Sequence, residues 1–398
     1  MDIFSWANLN LSNLLTILFY VGIFALVYFN RRKFEVQSGF IFLLRTKIGL
    51  NFIDKFSKKH REFVKLMGYI GIGIGFVGMI FISYTLIKNL YDVSFVPGAV
   101  SAVTPALPGV KIPGSPIFIP LIAGWIALFI VTVVHEFSHG IVASSHGLKI
   151  KSSGVAFFGP IMGAFVEPDE KTMARKSDVV KYSIFAAGPF SNIILTVVAL
   201  VVIMLVASPL LSVMTLPAGF SFQGVTSGLP AEAAGIKPEM VFTSVNGVGV
   251  TNESYFIEVM DATKPGDKVV IGTAERSYEI TTAVHPEKEG KGFVGVTGVG
   301  THFRLKHDNI ITKIAYWILQ QFGELMWLVF LLSSGIGIVN LLPLGPIDGG
   351  RMLQESLVKI KGKKQGIHIW KGVSLFFLIV LLLNVFLPFV LNFFRNIF

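Results

Sequence analysis

Six segments of this chain are apolar over lengths that match a bilayer crossing. A helix needs about 20 mainly apolar residues to cross the hydrocarbon core. The segments comprise residues 11–29, 64–87, 117–145, 182–206, 314–342 and 370–394. This pattern predicts an α-helical polytopic membrane protein with six transmembrane helices.

Residues 217–300 follow a different pattern. They contain short β-branched runs separated by turn signals, such as Asn246-Gly247 and Pro265-Gly266, and a helical pattern over 253–262. Alternation of this kind is typical of strands joined by tight turns. We therefore predict a small α+β domain between the fourth and fifth spans.

The charged residues orient the spans. Residues 30–65, which form the loop between the first two spans and the start of the second span, contain ten basic and three acidic residues, and cytoplasmic loops carry such an excess. No basic residue precedes the first span, so we expect it to be retained as a span instead of being cleaved as a signal peptide. Alternation from the basic loop places residues 217–300, with six basic and ten acidic residues, on the extracytoplasmic side.

Composition narrows the function classes. The chain of 398 residues is 53% hydrophobic and 15% charged, against about 25% charged in soluble domains. Its net charge of +10 belongs to loops beside the spans, which does not indicate a nucleic-acid partner. It has no cysteine, so any metal ligands must come from His, Asp or Glu.

The third span ends in His135-Glu136-Phe137-Ser138-His139. Histidines at i and i+4 share one face of a helix and can bind one zinc ion. The glutamate between them can act as a general base toward water. Ionisable residues at membrane depth are costly and usually functional, so this motif predicts hydrolytic chemistry within the bilayer.

A catalytic zinc site needs a third protein ligand, and Asp348 is the candidate. It follows Pro343 and Pro346, which should break the fifth span near the depth of the two histidines. Irregular backbone at this depth is tolerated where it is buried in protein or lines a cavity. The alternative is that Asp348 is a helix-end residue beside Arg351.

Several motifs together resemble one family. They are the His-Glu-x-x-His motif in a span, Asn340-x-x-Pro343-x-x-x-x-Asp348-Gly349, Ala187-Gly188-Pro189-x-x-Asn192, and residues 225–238 with 241–247, which resemble a bacterial PDZ domain. Residues 117–394 thereby resemble the site-2 protease family of intramembrane zinc metalloproteases, peptidase M50, with a PDZ-like insertion. PDZ domains bind extended peptides, although the insertion here is alternatively a spacer that only restricts access.

The resemblance implies the chemistry and its participants. His135, His139 and Asp348 would hold one zinc ion per chain, and Glu136 would be the general base. The reaction would be regulated cleavage of a membrane-spanning protein substrate near the cytoplasmic face, in a prokaryotic cell membrane. Asn340 would help to hold substrate, or would alternatively be a hydrogen-bond partner between helices.

Residues 154–167 predict a hairpin that turns at Gly159-Pro160. Its resemblance to the family's membrane-embedded β-structure makes Gly159 and Pro160 candidate substrate-binding residues. An edge strand there would pair with an extended substrate. Alternatively the hairpin is a lid that makes no substrate contact.

We expect four regions along the chain. Residues 1–115 would be an N-terminal two-span extension, 116–210 and 301–398 the two halves of the catalytic membrane domain, and 217–300 the PDZ-like domain. Two other functions fit parts of the sequence. One is a catalytically silent scaffold or receptor that uses the PDZ-like domain, and the other is a zinc transporter.

Overall fold

The computed structural model describes residues 11–37, 41–96, 99–112, 117–159, 161–238, 240–286 and 288–395. The chain divides into two compact units. Residues 1–204 and 322–398 form the first unit, and residues 205–321 form the second. The N-terminal segment thus belongs to the same compact unit as most of the predicted catalytic halves, whereas residues 205–210 and 301–321 of those halves fall in the second unit.

Long helices dominate the chain outside residues 215–305. They and the shorter helices between them are α1 (Leu11–Phe29), α2 (Leu50–Lys59), α3 (Arg61–Phe95), α4 (Leu121–Ser145), α5 (Glu170–Ala174), α6 (Asp178–Val202), α7 (Ser208–Met214), α10 (Ile310–Val339), α11 (Asp348–Lys361) and α12 (Lys363–Arg395). A π-helical turn at Ile203–Ala207 connects α6 to α7.

Five of the described helices are long and apolar enough to cross a membrane. They start from residues 61, 121, 178, 310 and 363, and they expose large apolar side chains such as Val77, Ile80 and Ile122. Apolar side chains that face outward at these lengths suit contact with lipid. The protein is therefore an integral multi-pass membrane protein. The predicted first span forms α1, whose apolar part is shorter, so the predicted count of six stays a prediction.

Prolines explain where two helix bounds differ from the predicted spans. The third span was expected from residue 117, but α4 begins after Pro120, which occupies the N-cap position. The fifth span was expected to reach residue 342, but α10 ends at Val339, four residues before Pro343. Proline and the residue before it are poorly compatible with the interior of a helix.

The first unit also contains a four-stranded antiparallel sheet. Its strands are β1 (Glu35–Gln37), β2 (Ile41–Thr46), β3 (Ile150–Phe158) and β4 (Ile161–Pro168), paired in that order. The predicted hairpin is confirmed as β3 and β4, with Phe158 opposite Ile161 and Gly159 at φ +59° in the turn. Pro160 lies outside the described residues. The sequence did not predict β1 and β2, which lie within the basic loop.

A line of glycines on α3 packs against neighbouring helices of the same chain. A Cβ at Gly68 would lie 3.2 Å from Val142 of α4, and one at Gly71 would lie 3.3 Å from Phe190 of α6. A Cβ at Gly75 would lie 2.9 Å from Met352 of α11. Small residues at this spacing allow helix backbones to approach closely. This line therefore packs within the monomer.

Between α7 and α10, the second unit contains strands and two short helices. The bounds are β5 (Thr215–Val225), α8 (Pro230–Ala233), β6 (Ser244–Val245), β7 (Val248–Gly249), α9 (Ser254–Ala262), β8 (Lys268–Gly272), β9 (Ser277–Thr281), β10 (Ala283–Val284), β11 (Gly292–Phe293) and β12 (Val296–Leu305). Strands β5 and β12 form an antiparallel pair, and a second sheet has the order β7-β6-β8-β9.

Local signals and a phenylalanine core account for this unit. Asn246 and Gly247 have φ values of +49° and +79°, as the tight turn between β6 and β7 requires. Phe220, Phe222 and Phe242 are almost fully buried in the core. The predicted helix over 253–262 is confirmed as α9. That this unit is PDZ-like stays a prediction.

The glycine line on α3 supplies a test of helix packing. Gly71→Val should lower the free energy of unfolding by about 1–3 kcal/mol, because the added methyl groups must displace Phe190. Gly73→Val is the matched control, since Gly73 is exposed two residues further along α3 and a Cβ there meets no atom within 4 Å. Thermal unfolding in detergent compares the two variants. Equal stability of both would contradict the packing assigned to this line.

Candidate metal centre and its cavity

Helix α4 brings two imidazoles to one point near its C-terminal end. Its buried face includes Val131, His135 and Val142, and the ring centroids of His135 and His139 lie 4.9 Å apart. Because the two histidines are four residues apart, both rings lie on the side of the helix that faces α6. The sequence-predicted pair is therefore preformed.

The break between α10 and α11 delivers the carboxylate. The backbone after Val339 turns over residues 340–347, and Asp348 is the first residue of α11. The Gly349 N–H donates to the carbonyl of Asn340 at 2.8 Å. A Cβ at Gly349 would overlap the backbone carbonyl of Leu341, so only glycine fits this close turn.

Asp348 meets both imidazoles. One of its carboxylate oxygens, Oδ2, lies 3.1 Å from Nε2 of His135 and 3.3 Å from Nε2 of His139. All three ligand atoms lie within 4.8 Å of one another. Two ligands of a tetrahedral zinc ion, each about 2.1 Å from it, are about 3.4 Å apart, so these distances fit one ion. The reading of Asp348 as a mere helix-end residue does not explain this convergence.

Gly188 on α6 leaves space beside the ligand atoms. A Cβ built on this residue would lie 2.6 Å from Nε2 of His135 and would overlap Nε2 of His139. Those nitrogens are ligand atoms of the cluster that could hold a metal ion, so any side chain here would fill the space an ion needs. The vacant volume at Gly188 and the two-nitrogen, one-oxygen donor set together fit zinc with an open position for water.

The second nitrogen of His139 is also fixed by α6. Nδ1 of His139 lies 2.6 Å from the carbonyl oxygen of Ile184, which can only accept a hydrogen bond. The proton of this imidazole therefore lies on Nδ1, and the Nε2 lone pair points to the metal position. Pro189 lacks the N–H that would serve the carbonyl of Phe185, and such a proline loosens the helix locally.

Glu136 lies beside the ligands and next to the sheet. Its Oε2 accepts a hydrogen bond from the backbone N–H of Val166 at 3.3 Å, so the carboxylate is held between α4 and β4. The side chain is half-buried and is left outside the three-residue ligand cluster. A carboxylate in this position can exchange a proton with a water molecule at the metal.

A cavity of about 580 Å³ connects these groups. It is lined by the four acid, base and ligand residues, by Asn340, by residues 165–168 of β4, and by Arg45 and Arg351. Its volume lies within the range of ligand pockets, and it is large enough for water and an extended peptide segment.

Charged residues at the rim of this cavity are paired. Arg45 on β2 contacts Glu167 on β4 and donates to Glu35 on β1 at 2.7 Å, which ties three strands together. Arg351 on α11 lies 3.5 Å from Glu170 on α5. Next to Glu170, hydrogen bonds from Thr172 and Lys151 lower the pKa of Asp169 to about 2, so this carboxylate is ionised at neutral pH.

The structure brings together most of the residues selected from the sequence. His135, Glu136, His139, Asp348 and Asn340 all line one cavity. Gly159 lies at the tip of the hairpin and is not among the described residues that line the cavity. The roles assigned to these residues remain predictions, and the candidate substrate contact at Gly159 has no support from its position.

Sequence reasoning missed the contributions of α6. Gly188 and Asn192 belong to the Ala-Gly-Pro-x-x-Asn motif, which was noted only as a pattern. These two residues are four apart, which predicts that they share a helix face, and this spacing was the sequence signal that could have indicated their contribution. The carbonyl of Ile184 gives no side-chain signal, so its role needed coordinates.

Comparisons with known proteins agree with this geometry. A sequence model of peptidase family M50 matches residues 123–383. An uncharacterized protein of Methanocaldococcus jannaschii is 32% identical over 321 residues, which cover 79% of this chain and 77% of that protein. The zinc metalloprotease RasP of Shouchella clausii is 27% identical over 246 residues, covering 50% of this chain and 56% of RasP. RasP of Oceanobacillus iheyensis is 30% identical over 128 residues, or 30% of this chain and 29% of that protein.

The multi-pass helices and the two-histidine, one-aspartate centre, together with the family match and the zinc metalloprotease relatives, identify a membrane zinc metalloendopeptidase. The chain belongs to peptidase family M50, since the matched segment covers well over half of its length. Zinc is accordingly the cofactor, with His135, His139 and Asp348 as the cluster able to hold it.

Gly188→Ala tests the metal position directly. The added methyl group would occupy the space between the two Nε2 atoms, so we expect zinc content to fall from about one ion per chain to less than about a tenth of that. Metal analysis of purified protein after zinc loading measures this content.

Gly335→Ala is the matched control for this experiment. Gly335 is also a helical glycine of the first unit (residues 1–204 and 322–398, the membrane unit), and a Cβ there meets no atom within 4 Å. This variant should bind zinc as the unaltered protein does. Full zinc content in Gly188→Ala, with the protein folded and monodisperse, would show that the ion binds elsewhere.

Proposed function

We propose that this chain is an intramembrane endopeptidase of the site-2 protease type that cleaves membrane-spanning proteins near the cytoplasmic face. The observation that carries this proposal is the position of the ligand cluster. His135 and His139 lie on a helix long and apolar enough to cross a membrane, and they share a cavity with Glu136 and Asp348. The basic loop before α3 supports a cytoplasmic location for that end of α4.

The residues of the cavity divide the chemistry. Zinc, when bound, acts as a Lewis acid toward the scissile carbonyl and makes water a better nucleophile near neutral pH. Glu136 accepts a proton from the attacking water and then delivers it to the nitrogen of the leaving amine. One carboxylate thus serves both proton transfers, and no second acid is required.

A transmembrane substrate must be unwound before it is cut. Helical peptide bonds are shielded by their i to i−4 hydrogen bonds, so the scissile segment has to become extended. Strand β4 pairs only with β3 among the described strands, and residues 165–168 at its end line the cavity. The free edge of β4 is therefore suited to hold an extended substrate by strand addition.

The register of the hairpin shows which groups of β4 are available. In a hairpin with a two-residue turn, the flanking pair, here Phe158 and Ile161, exchanges both hydrogen bonds, so Met162, Ala164 and Val166 should direct their N–H and C=O groups away from β3. The contact from the Val166 N–H to Glu136 agrees with this alternation. A substrate strand that pairs with Ala164 would thus lie two residues along β4 from Val166, whose N–H contacts the general base Glu136.

The substrate and the PDZ-like unit complete the proposal. The second unit has a groove of about 170 Å³ between α9 and strands β11 and β12, with apolar walls that include Phe256 and Met260 and with Lys288 and Lys291 also lining it. This shape supports peptide binding by the PDZ-like domain on the extracytoplasmic side. The archaeal and bacterial relatives support a prokaryotic cell membrane as the location.

Glu136→Gln separates metal binding from turnover. The amide keeps the size of the side chain but cannot accept the proton, so cleavage should fall by about 10²–10⁴-fold while zinc content stays unchanged. The measurements are cleavage of a reconstituted single-span substrate and metal analysis of the same sample. Glu170→Gln, which alters a carboxylate of the cavity rim, should keep most activity. Undiminished cleavage by Glu136→Gln would refute the base assignment.

Ala164→Pro tests substrate pairing at β4. Proline removes an N–H that points away from β3, so the hairpin ladder should persist while strand addition is blocked. We expect cleavage of a membrane-spanning substrate to fall at least about 10-fold, the equivalent of one lost hydrogen bond to the substrate. Ala164→Val keeps the N–H and controls for side-chain size. If both variants cleave equally well, the substrate does not pair at this position and the hairpin acts as a lid.

A further inference from the structure

The side-chain amide of Asn192 is buried, and only one of its two polar atoms has a hydrogen-bond partner among the described residues. It is fully buried on α6, and its Nδ2 position lies 3.1 Å from Nδ1 of His135. The other end of the amide, assigned as Oδ1, meets no hydrogen-bond partner among the residues that the structure describes. A buried amide that is only half satisfied is costly, and an apolar side chain of the same size would avoid this cost.

The position of the proton on the His135 ring determines how this amide is oriented. Its Nε2 faces the ligand cluster, 3.1 Å from Asp348, and must present a lone pair to bind zinc. A neutral imidazole carries one proton, which must then lie on Nδ1. Nδ1–H needs an acceptor, and the oxygen and nitrogen of an amide are distinguished only by their hydrogen bonds. The amide oxygen therefore belongs next to His135.

We propose that Asn192 is a positioning residue for the metal centre, whose side-chain oxygen accepts the Nδ1–H of His135 and so holds the Nε2 lone pair toward zinc. The inference depends on the zinc site and not on the identity of the substrate. It gives His135 the same support that His139 receives from the carbonyl of Ile184. Hydrogen bonds of this kind fix both the ring orientation and the tautomer of a metal-binding histidine.

The surroundings of Asn192 hold it in place. Its backbone carbonyl accepts hydrogen bonds from Ser333 on α10 and from Thr196 on α6, both at 2.8 Å. A Cβ at Gly337 would lie 3.0 Å from the Cβ of Asn192, so the glycine at position 337 favours the close approach of α10. The amide is thus packed from two sides before any metal binds.

Two substitutions at this position distinguish an acceptor from a packing residue. Asn192→Leu keeps the approximate volume and removes the acceptor, so the zinc dissociation constant should rise about 10–100-fold. Asn192→Asp provides a carboxylate oxygen for the same N–H and should retain most of the affinity. Competition with a chromophoric chelator in detergent measures the zinc affinity, and thermal unfolding of the metal-free protein measures stability independently.

Asn384 offers a matched control. It is another fully buried asparagine in the membrane unit, and its Oδ1 also has no partner within the described part of the chain. Its Nδ2 donates to the carbonyls of Leu86 and Val380 at 3.1 and 2.8 Å, and it does not line the metal cavity. Asn384→Leu should change stability while leaving the zinc affinity unchanged.

The outcomes decide the proposal. It is overturned if Asn192→Leu binds zinc as tightly as Asn384→Leu, because Asn192 then acts only in packing. It is also overturned if Asn192→Asp weakens zinc binding as much as Asn192→Leu, because the residue then donates to Nδ1. Should Asn192→Leu fail to fold, Asn192→Asp carries the test alone, since an ionised carboxylate can accept a hydrogen bond but cannot donate one.

Discussion

A single carboxylate oxygen of Asp348 lies within 3.3 Å of both imidazole Nε2 atoms, and this convergence constrains the surrounding membrane unit. Burying a carboxylate and two imidazoles away from water is unfavourable unless they are paired or hold a metal. The ligands come from α4 and from the start of α11, so two distant parts of the chain must be fixed at the same depth. The glycines of α3 provide this by close packing against α4, α6 and α11.

Helix α6 contacts both histidines of the metal centre and leaves space beside their ligand atoms. Residues Ile184, Gly188 and Asn192 follow one another at one-turn intervals and therefore share a face. The first contacts Nδ1 of His139 through its carbonyl, the second leaves room for the ion, and the third contacts Nδ1 of His135. One helix face thus contacts both imidazoles and keeps the space beside them open, which explains the glycine inside this helix.

Local and periodic features of this protein could be predicted from its sequence, whereas contacts between distant backbones could not. The spacing of His135 and His139, the helix break before Asp348 and the hairpin turn at Gly159 are local signals with one dominant physical interpretation. Strands β1 and β2 were missed because they are short and lie in a basic loop, and because β2 pairs with β3, more than a hundred residues away, while β1 pairs only with β2. The Ile184 carbonyl was missed because every residue has one, and only the fold selects which carbonyl faces a histidine.

Under the proposed function, the contact between Glu136 and Val166 would link the position of a substrate strand to proton transfer. Val166 directs its N–H away from β3, toward the side where an added strand would lie, and Glu136 accepts it. A substrate strand on this edge would have to pair beside a position that the general base already occupies. Its register is then limited to arrangements that place a scissile carbonyl next to Glu136 and the metal ligands, because a shift by one residue would reverse the direction of every peptide group. In this proposed arrangement the sheet would determine which peptide bond is presented, and the helices would supply the residues that cleave it.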